Sequence, residues 1–282
     1  MVQVRAPAKI NLCLEVLGRR PDGYHEVATV LHTICLTDEL SFAPADALSL
    51  DCQPEVGSAE DNLALRAARL LKEATGCQKG AAITLRKHIP AAAGLGGGSS
   101  DAAATLKALD KLWGLGLSRE GLVELAARLG SDVPFFLDGG CALAQGRGEM
   151  LTPLLTLQGW WAVLLCPPLA LEGKTGRLYG MLTPEDYDDR TATEGLVLKI
   201  QRGTAAAEEF ALAGNTFERV ADVAFPGLAD YRQAFLGAGA PFVRLSGSGP
   251  TLFTLTQGFE HGGRMGEALR RKGYTAFLAA LE

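Results

Sequence analysis

The sequence predicts an α+β fold. Stretches with the two-residue alternation of strands interleave with stretches of helical spacing, without the regular strand–helix–strand rhythm of a doubly wound sheet. The chain has 282 residues, of which 48% are apolar, enough for a packed core in one large domain or two ordinary ones. Two adjacent prolines, Pro167 and Pro168, follow an apolar stretch and suggest a boundary between 155 and 168, so the expected domains are 1–158 and 159–282.

Lys9 to Leu17 places Ile10, Leu12, Leu14 and Val16 on one face and Asn11, Cys13 and Glu15 on the other, the pattern of a half-buried strand. Taken alone, Lys9 at the edge of that strand reads as a solvated surface charge. Arg20-Pro21-Asp22-Gly23 has turn chemistry, and Val27 to Leu36 is a second β-rich segment expected to pair with the first as a hairpin. Asp61 or Asn62 caps a helix over Leu63 to Ala74 that stops at Gly76, and a strand follows from Ala81 to Lys87. Beyond a glycine cluster, Ala102, Ala103, Leu106, Leu109 and Leu112 recur at helical spacing. Ser118 caps a further helix that ends at Gly130.

Strands are expected at Cys141–Ala144 and Trp160–Leu165. In the second half, helices are expected at Gly195–Gln201, Thr216–Val223 and Arg264–Arg271, with strands at Phe242–Leu245, Leu252–Thr256 and Ala276–Leu281. There is no internal repeat and no low-complexity tract.

The formal net charge is −5, which provides no general basic field, so neither nucleic acid nor an anionic membrane is an expected partner. A polyanionic ligand has to be held by a local site. The six cysteines are dispersed, without CxxC or metal-ligand spacing, and are expected to act as small hydrophobes. Arg5 and Lys9 interrupt the start of the chain where a signal peptide needs an apolar stretch, and the longest apolar run, Trp160 to Leu171, is short and broken by prolines. A cytoplasmic, reduced protein is the expectation, as a monomer or homodimer.

The 34 glycines make up about 12% of the chain against a usual ~7%, so many backbone positions require tight turns or close approach. Four of them, Gly94, Gly96, Gly97 and Gly98, lie in the segment Pro90 to Asp101, between a predicted strand and a predicted helix. Amides there can approach an oxyanion closely, Ser99 and Ser100 can cap the helix, and the helix dipole favours a phosphate. A flexible linker or an ordinary turn is the bland alternative. No Lys follows the glycines, so this is not a Walker A loop, and no βαβ series surrounds it, so it is not a dinucleotide fingerprint.

Three segments together resemble the GHMP kinases: APAKINLCLEVLGRRPDGYHEV from Ala6 to Val27; PAAAGLGGGSSDAA with the later LGSDVPFFLDGGCALAQGRGE; and RLSGSGPTLF from Arg244, preceded by Asn215-Thr-Phe-Glu218. The match covers most of the chain and is weakest between about Pro168 and Ala213. It implies the two-domain α+β GHMP architecture with ATP in a cleft between the domains. It further implies phosphorylation of an alcohol, with the best-fitting branch acting on the 2-hydroxyl of a cytidine-diphosphate-linked methylerythritol in the non-mevalonate route to isoprenoids. Kinases of homoserine, mevalonate or sugars, and a non-catalytic nucleotide-binding regulator on the same fold, are the alternatives.

By this resemblance Lys9 and Asp132 form the catalytic pair. Taken alone, Asp132 is equally a helix-capping residue; it sits after Gly130 and before Pro134, in a turn between elements. Pro90, Gly94, Leu95, Gly96, Gly97, Gly98, Ser99 and Ser100 would hold ATP, while Asn11, Tyr24 and His25 would serve the acceptor, the last two at its cytosine. The Ser246-Gly-Ser-Gly-Pro250 segment would brace the glycine loop. Mg²⁺ is implied by ATP, with Ser99 or Ser100 as one oxygen ligand and no other ligand assigned. Asp101 is unusual in placing a negative charge near the phosphates.

Overall fold

The computed structural model describes residues 1–282. In chain order the elements are β1 (Val2–Arg19), β2 (His25–Ala45), β3 (Leu48–Gln53), α1 (Leu63–Thr75), β4 (Gly80–Arg86), α2 (Gly97–Trp113), α3 (Arg119–Leu129), α4 (Phe135–Asp138), β5 (Cys141–Gly146) and β6 (Met150–Leu154). There follow β7 (Trp160–Leu165), α5 (Lys174–Met181), α6 (Thr191–Gln201), α7 (Ala207–Leu212), α8 (Glu218–Ala224), α9 (Leu228–Gly237), β8 (Arg244–Leu245), β9 (Leu252–Gln257), α10 (Phe259–Arg271) and β10 (Ala276–Ala280). This is the expected α+β class. The chain packs as two units, one of residues 1–8, 36–91 and 96–139, the other of 9–35, 92–95 and 140–282.

In the first unit β4 pairs antiparallel with the second half of β2 and parallel with β3, so β3, α1 and β4 form a strand–helix–strand unit. α1 forms because Asn62 accepts a bond from the Ala64 amide and Gly76 closes the helix in the left-handed conformation. It buries Ala64, Leu65, Ala67, Ala68 and Leu71, while α2 buries Ala102, Ala103, Leu106 and Leu109. The small alanines on both helices allow close approach.

In the second unit the first half of β2 pairs with β5, and β5 with β6, all antiparallel. The β1–β2 hairpin closes at a turn where the Arg20 amide donates to the Tyr24 carbonyl at 2.8 Å. A separate four-stranded sheet has the order β10-β7-β9-β8. Its core joins Val163, Leu165, Phe217, Phe225, Phe235 and Leu245 to Leu14 and Val16 of β1. The strand expected at Phe242–Leu245 is shortened to two residues.

Candidate active site

β1 places Lys9, Asn11, Cys13 and Glu15 on one face. Contrary to the expected half-buried strand, that face is closed, and Lys9 is not the solvated charge it reads as when taken alone: Lys9 is 4% exposed and Glu15 5%. For Cys13 and Glu15 the cover is α6, whose Thr193 amide donates to the Glu15 carboxylate at 2.7 Å and whose Thr193 hydroxyl lies 3.4 Å from the Cys13 sulfur, while Lys9 lies against the turn at Gly247. A relay of bonds then orients Asn11. The Thr29 hydroxyl donates to the Cys13 carbonyl at 2.6 Å, so it must accept from Asn11 Nδ2, at 2.8 Å. Asn11 Oδ1 is left to receive the Lys9 ammonium, which it does. The Lys9 amide donates to the Leu95 carbonyl at 2.9 Å, tying this strand to the tip of the glycine loop.

That tip, residues 92–95, rests on the turn after β8. Gly94 has φ +85°, and a Cβ there would stand 2.3 Å from the Ser246 carbonyl oxygen. The Ser246 hydroxyl donates to the Gly94 carbonyl at 3.0 Å and the Thr251 amide to the Ala93 carbonyl at 3.2 Å. Gly247, at φ +54°, lets the turn pass Lys9, whose Nζ would lie 3.0 Å from a Cβ at this position. Asn215 holds the turn by donating from Nδ2 to the Leu245 and Gly247 carbonyls, both at 2.8 Å, and Glu218 accepts from the Leu245 amide at 2.7 Å. The Asn215–Glu218 element thus braces the turn, and the turn braces the glycine loop. We expect Gly94→Ala to lower the denaturant midpoint, by about 1–3 kcal/mol of stability, and to raise the KM for ATP; an unchanged midpoint and KM would contradict this packing role.

The base of the loop belongs to the other unit. Gly96, at φ +73°, is the N-cap of α2, which starts at Gly97. Ser99 and Ser100 therefore lie inside the first turn and do not cap it, correcting the sequence expectation. The Ser100 amide makes the first helical bond, to the Gly96 carbonyl at 2.9 Å, leaving the amides of Gly97, Gly98 and Ser99 outside the helical ladder. A Cβ on Gly97 would sit 3.0 Å from Ile89 and 3.2 Å from Lys87 Nζ, so both pack directly against the loop. Pro90 is half-buried, and Leu95, between Gly94 and Gly96, is fully buried.

Lys87 was not singled out in the sequence. Its ammonium donates to Asp101 Oδ2 at 2.7 Å and to Asp38, all three side chains being buried. Asp38 also accepts the amides of His88 and Ile89, at 2.6 and 2.8 Å, whereas Asp101 Oδ1 has no partner. Asp101 is accordingly the group that retains a proton: burial pushes its carboxyl up to about 7 although the Lys87 charge opposes the shift. Burial also pulls on Lys87, but the two carboxylates outweigh it and leave the ammonium above its ordinary value. The charge expected to face the phosphates is thus buried and countered.

Asp132 occupies the 131–134 turn between α3 and α4, half-buried, in the unit that carries residues 96–100. The buried side chains of Val133, Phe135 and Phe136 anchor this turn. In the other unit, the His25 ring stacks on Tyr179 of α5, with centroids 4.6 Å apart and planes 13° apart. Burial, then the charge of Arg19, lowers its pKa and favours the neutral imidazole. Tyr24 is 55% exposed and has the Arg147 guanidinium 4.7 Å above its ring. Tyr179 and Arg147 also escaped the sequence reading: Tyr179 lies where the resemblance is weakest, and Arg147, though inside a matched segment, was given no role.

Residues 62–140 match the family described as GHMP kinases N terminal domain, and residues 198–275 match GHMP kinases C terminal. A protein of Dehalococcoides mccartyi described as 4-diphosphocytidyl-2-C-methyl-D-erythritol kinase is 43% identical over 99% of this chain and 98% of its own length. The chain belongs to the 4-diphosphocytidyl-2-C-methyl-D-erythritol kinase family. A Geobacillus thermodenitrificans kinase of the same description is 45% identical over 94% of this chain and 90% of its own. A crystal structure described as 4-(cytidine 5'-diphospho)-2C-methyl-D-erythritol kinase superposes with a TM-score of 0.84, at 39% identity and 99% coverage of both chains. A homoserine kinase from Cytophaga hutchinsonii, 19% identical with a TM-score of 0.73 and 99% and 94% coverage, shares the fold. Like the family's other members this chain is a kinase, and it has no helix long and apolar enough to cross a membrane.

Proposed function

We propose that this kinase transfers the γ-phosphoryl group of ATP to the 2-hydroxyl of 4-diphosphocytidyl-2-C-methyl-D-erythritol, with Asp132 as base and Lys9 as its electrostatic partner. The observation that carries the reading is the buried Lys9, oriented by Asn11 and tied to a braced glycine loop. The free amides of Gly97, Gly98 and Ser99 receive phosphate oxygens. Asp132 aligns the acceptor hydroxyl and takes its proton as the new oxygen–phosphorus bond forms. The bond from phosphorus to the β–γ bridging oxygen breaks, and its electron pair leaves with ADP. Because most analyses give a loose transition state, the proton departs late and a carboxylate is a sufficient base. The Lys9 ammonium screens charge gathering between nucleophile and phosphorus.

The fit of a divalent cation rests on Ser100, whose buried hydroxyl has no partner within the chain. Such an oxygen suits Mg²⁺, whose remaining ligands would be phosphate oxygens and water, since no cluster of three carboxylate, imidazole or thiol groups stands ready. When bound, Mg²⁺ would neutralise charge on the transferring phosphoryl group.

A coupled assay of ADP release tests the reaction. Turnover of the cytidine-bearing alcohol, with homoserine and mevalonate left unphosphorylated, is expected; turnover no higher than that of an Asp132→Ala control would defeat the proposal. His25→Ala is expected to raise KM for this acceptor about tenfold by removing one hydrogen bond to the base, with KM for ATP unchanged. Equal effects on both KM values would remove His25 from the acceptor site.

A further inference from the structure

The first residue of α5 lies outside every motif discussed so far, yet its side chain reaches two of them. Lys174 Nζ donates to the Ala92 carbonyl at 2.7 Å and also to the Gly249 carbonyl. Ala92 belongs to the tip of the glycine loop, and Gly249 to the turn that supports it. The adjacent Thr175 hydroxyl lies 3.0 Å from that of Ser248 in the same turn. Ala92 itself has φ +53°, a left-handed conformation that is unfavourable for a residue with a Cβ. A strained tip of this kind keeps its shape only where its surroundings hold it.

We infer that Lys174 is a positioning residue for the nucleotide: its ammonium clamps the glycine-loop tip to the 246–250 turn and so fixes the amides that receive the phosphates. The inference deepens the kinase reading and rests on it. Two chain carbonyls reached by one ammonium from a third segment add to the direct bonds that Ser246 and Thr251 make to the loop tip. The cation has a second effect at the same place. Burial, then repulsion from Lys9, brings Lys174 down to about 8. No ionisable side chain lies on residues 92–95 or 246–250, so apart from Glu172 and Arg177 in its own segment, Lys9 is the charge that bears on it. Two ammoniums held near one another are relieved by a polyanion, and the loop they flank is the one built to receive it.

The test is steady-state kinetics and calorimetric binding of a non-hydrolysable ATP analogue for Lys174→Met and Lys174→Arg, with thermal unfolding of each. For Lys174→Met we expect KM for ATP and the analogue Kd to rise about tenfold, while KM for the acceptor alcohol and the unfolding midpoint stay near those of the unmodified protein. Lys174→Arg retains a cation with several donors and is expected to restore most of the affinity. The inference is overturned if Lys174→Met binds the analogue as the unmodified protein does. It is equally overturned if both KM values rise together with a lowered midpoint and Arg gives no rescue, the signature of plain packing. Failure of the unmodified protein itself to bind the analogue would instead bring down the kinase reading.

Discussion

Asp132→Asn is expected to reduce kcat by about 10²–10⁴-fold, the range for removing a positioned general base, while ATP still binds. The substitution keeps the shape of the side chain and removes its ability to accept the acceptor's proton. The 131–134 turn is anchored by Val133, Phe135 and Phe136, not by the aspartate, so the unfolding midpoint should hardly move. An interaction made only in the transition state lowers kcat and kcat/KM together. That joint fall, with unchanged analogue binding, is the expected kinetic pattern. A kcat close to that of the unmodified enzyme would exclude Asp132 as the base, whatever the resemblance implies.

Lys87→Met is expected to cost about 3–5 kcal/mol of stability, the usual result of removing one partner from a buried ionic cluster. The methionine fills much of the volume but leaves Asp38 and Asp101 facing each other without a cation. Denaturant unfolding should show the loss, and because Asp38 and Asp101 both contact the Lys87 ammonium, adding Asp101→Asn should give a non-additive change. An unaltered midpoint would mean that the cluster contributes no net stability. The cluster also sets a pH dependence. Asp101 holds its proton up to about 7 in the folded chain against 3.8 for an ordinary aspartate, so between these values the folded state binds more protons than the unfolded one. Stability contributed by this group is therefore present at the acid end and falls as pH rises through that window. Asp101→Asn is expected to flatten the fall.

What could be read in advance follows from the range of the interactions involved. Asn62 and Gly76 define α1 through bonds within a few residues, and the structure has that helix between those caps. The start of α2 was placed too late because two glycines followed by two serines have poor helical propensity. The left-handed Gly96 and the packing of Gly97 on Ile89 override it. Alternation along β1 sorted Lys9, Asn11 and Glu15 onto one face, but not whether that face was covered, since the cover comes from α6 at Glu15 and from the turn at Gly247 at Lys9, both far along the chain. β3, β6, α5, α7 and α9 were not anticipated, being short elements with little periodicity of their own. Lys174 and Tyr179 were lost with α5, whereas the glycine loop stood out because close approach of backbone to backbone restricts residue type directly.

The dependence of Lys9 and the loop tip on the turn after β8 has a bearing on synthesis. Lys9 is synthesised well before Ser246, Gly247 and Thr251, which lie more than two hundred residues further along the chain. A nascent chain therefore carries the strand of Lys9 and the glycines for a long interval without the support that gives them their shape. Fragments that end before the turn after β8 lack this support and should be unable to consume ATP.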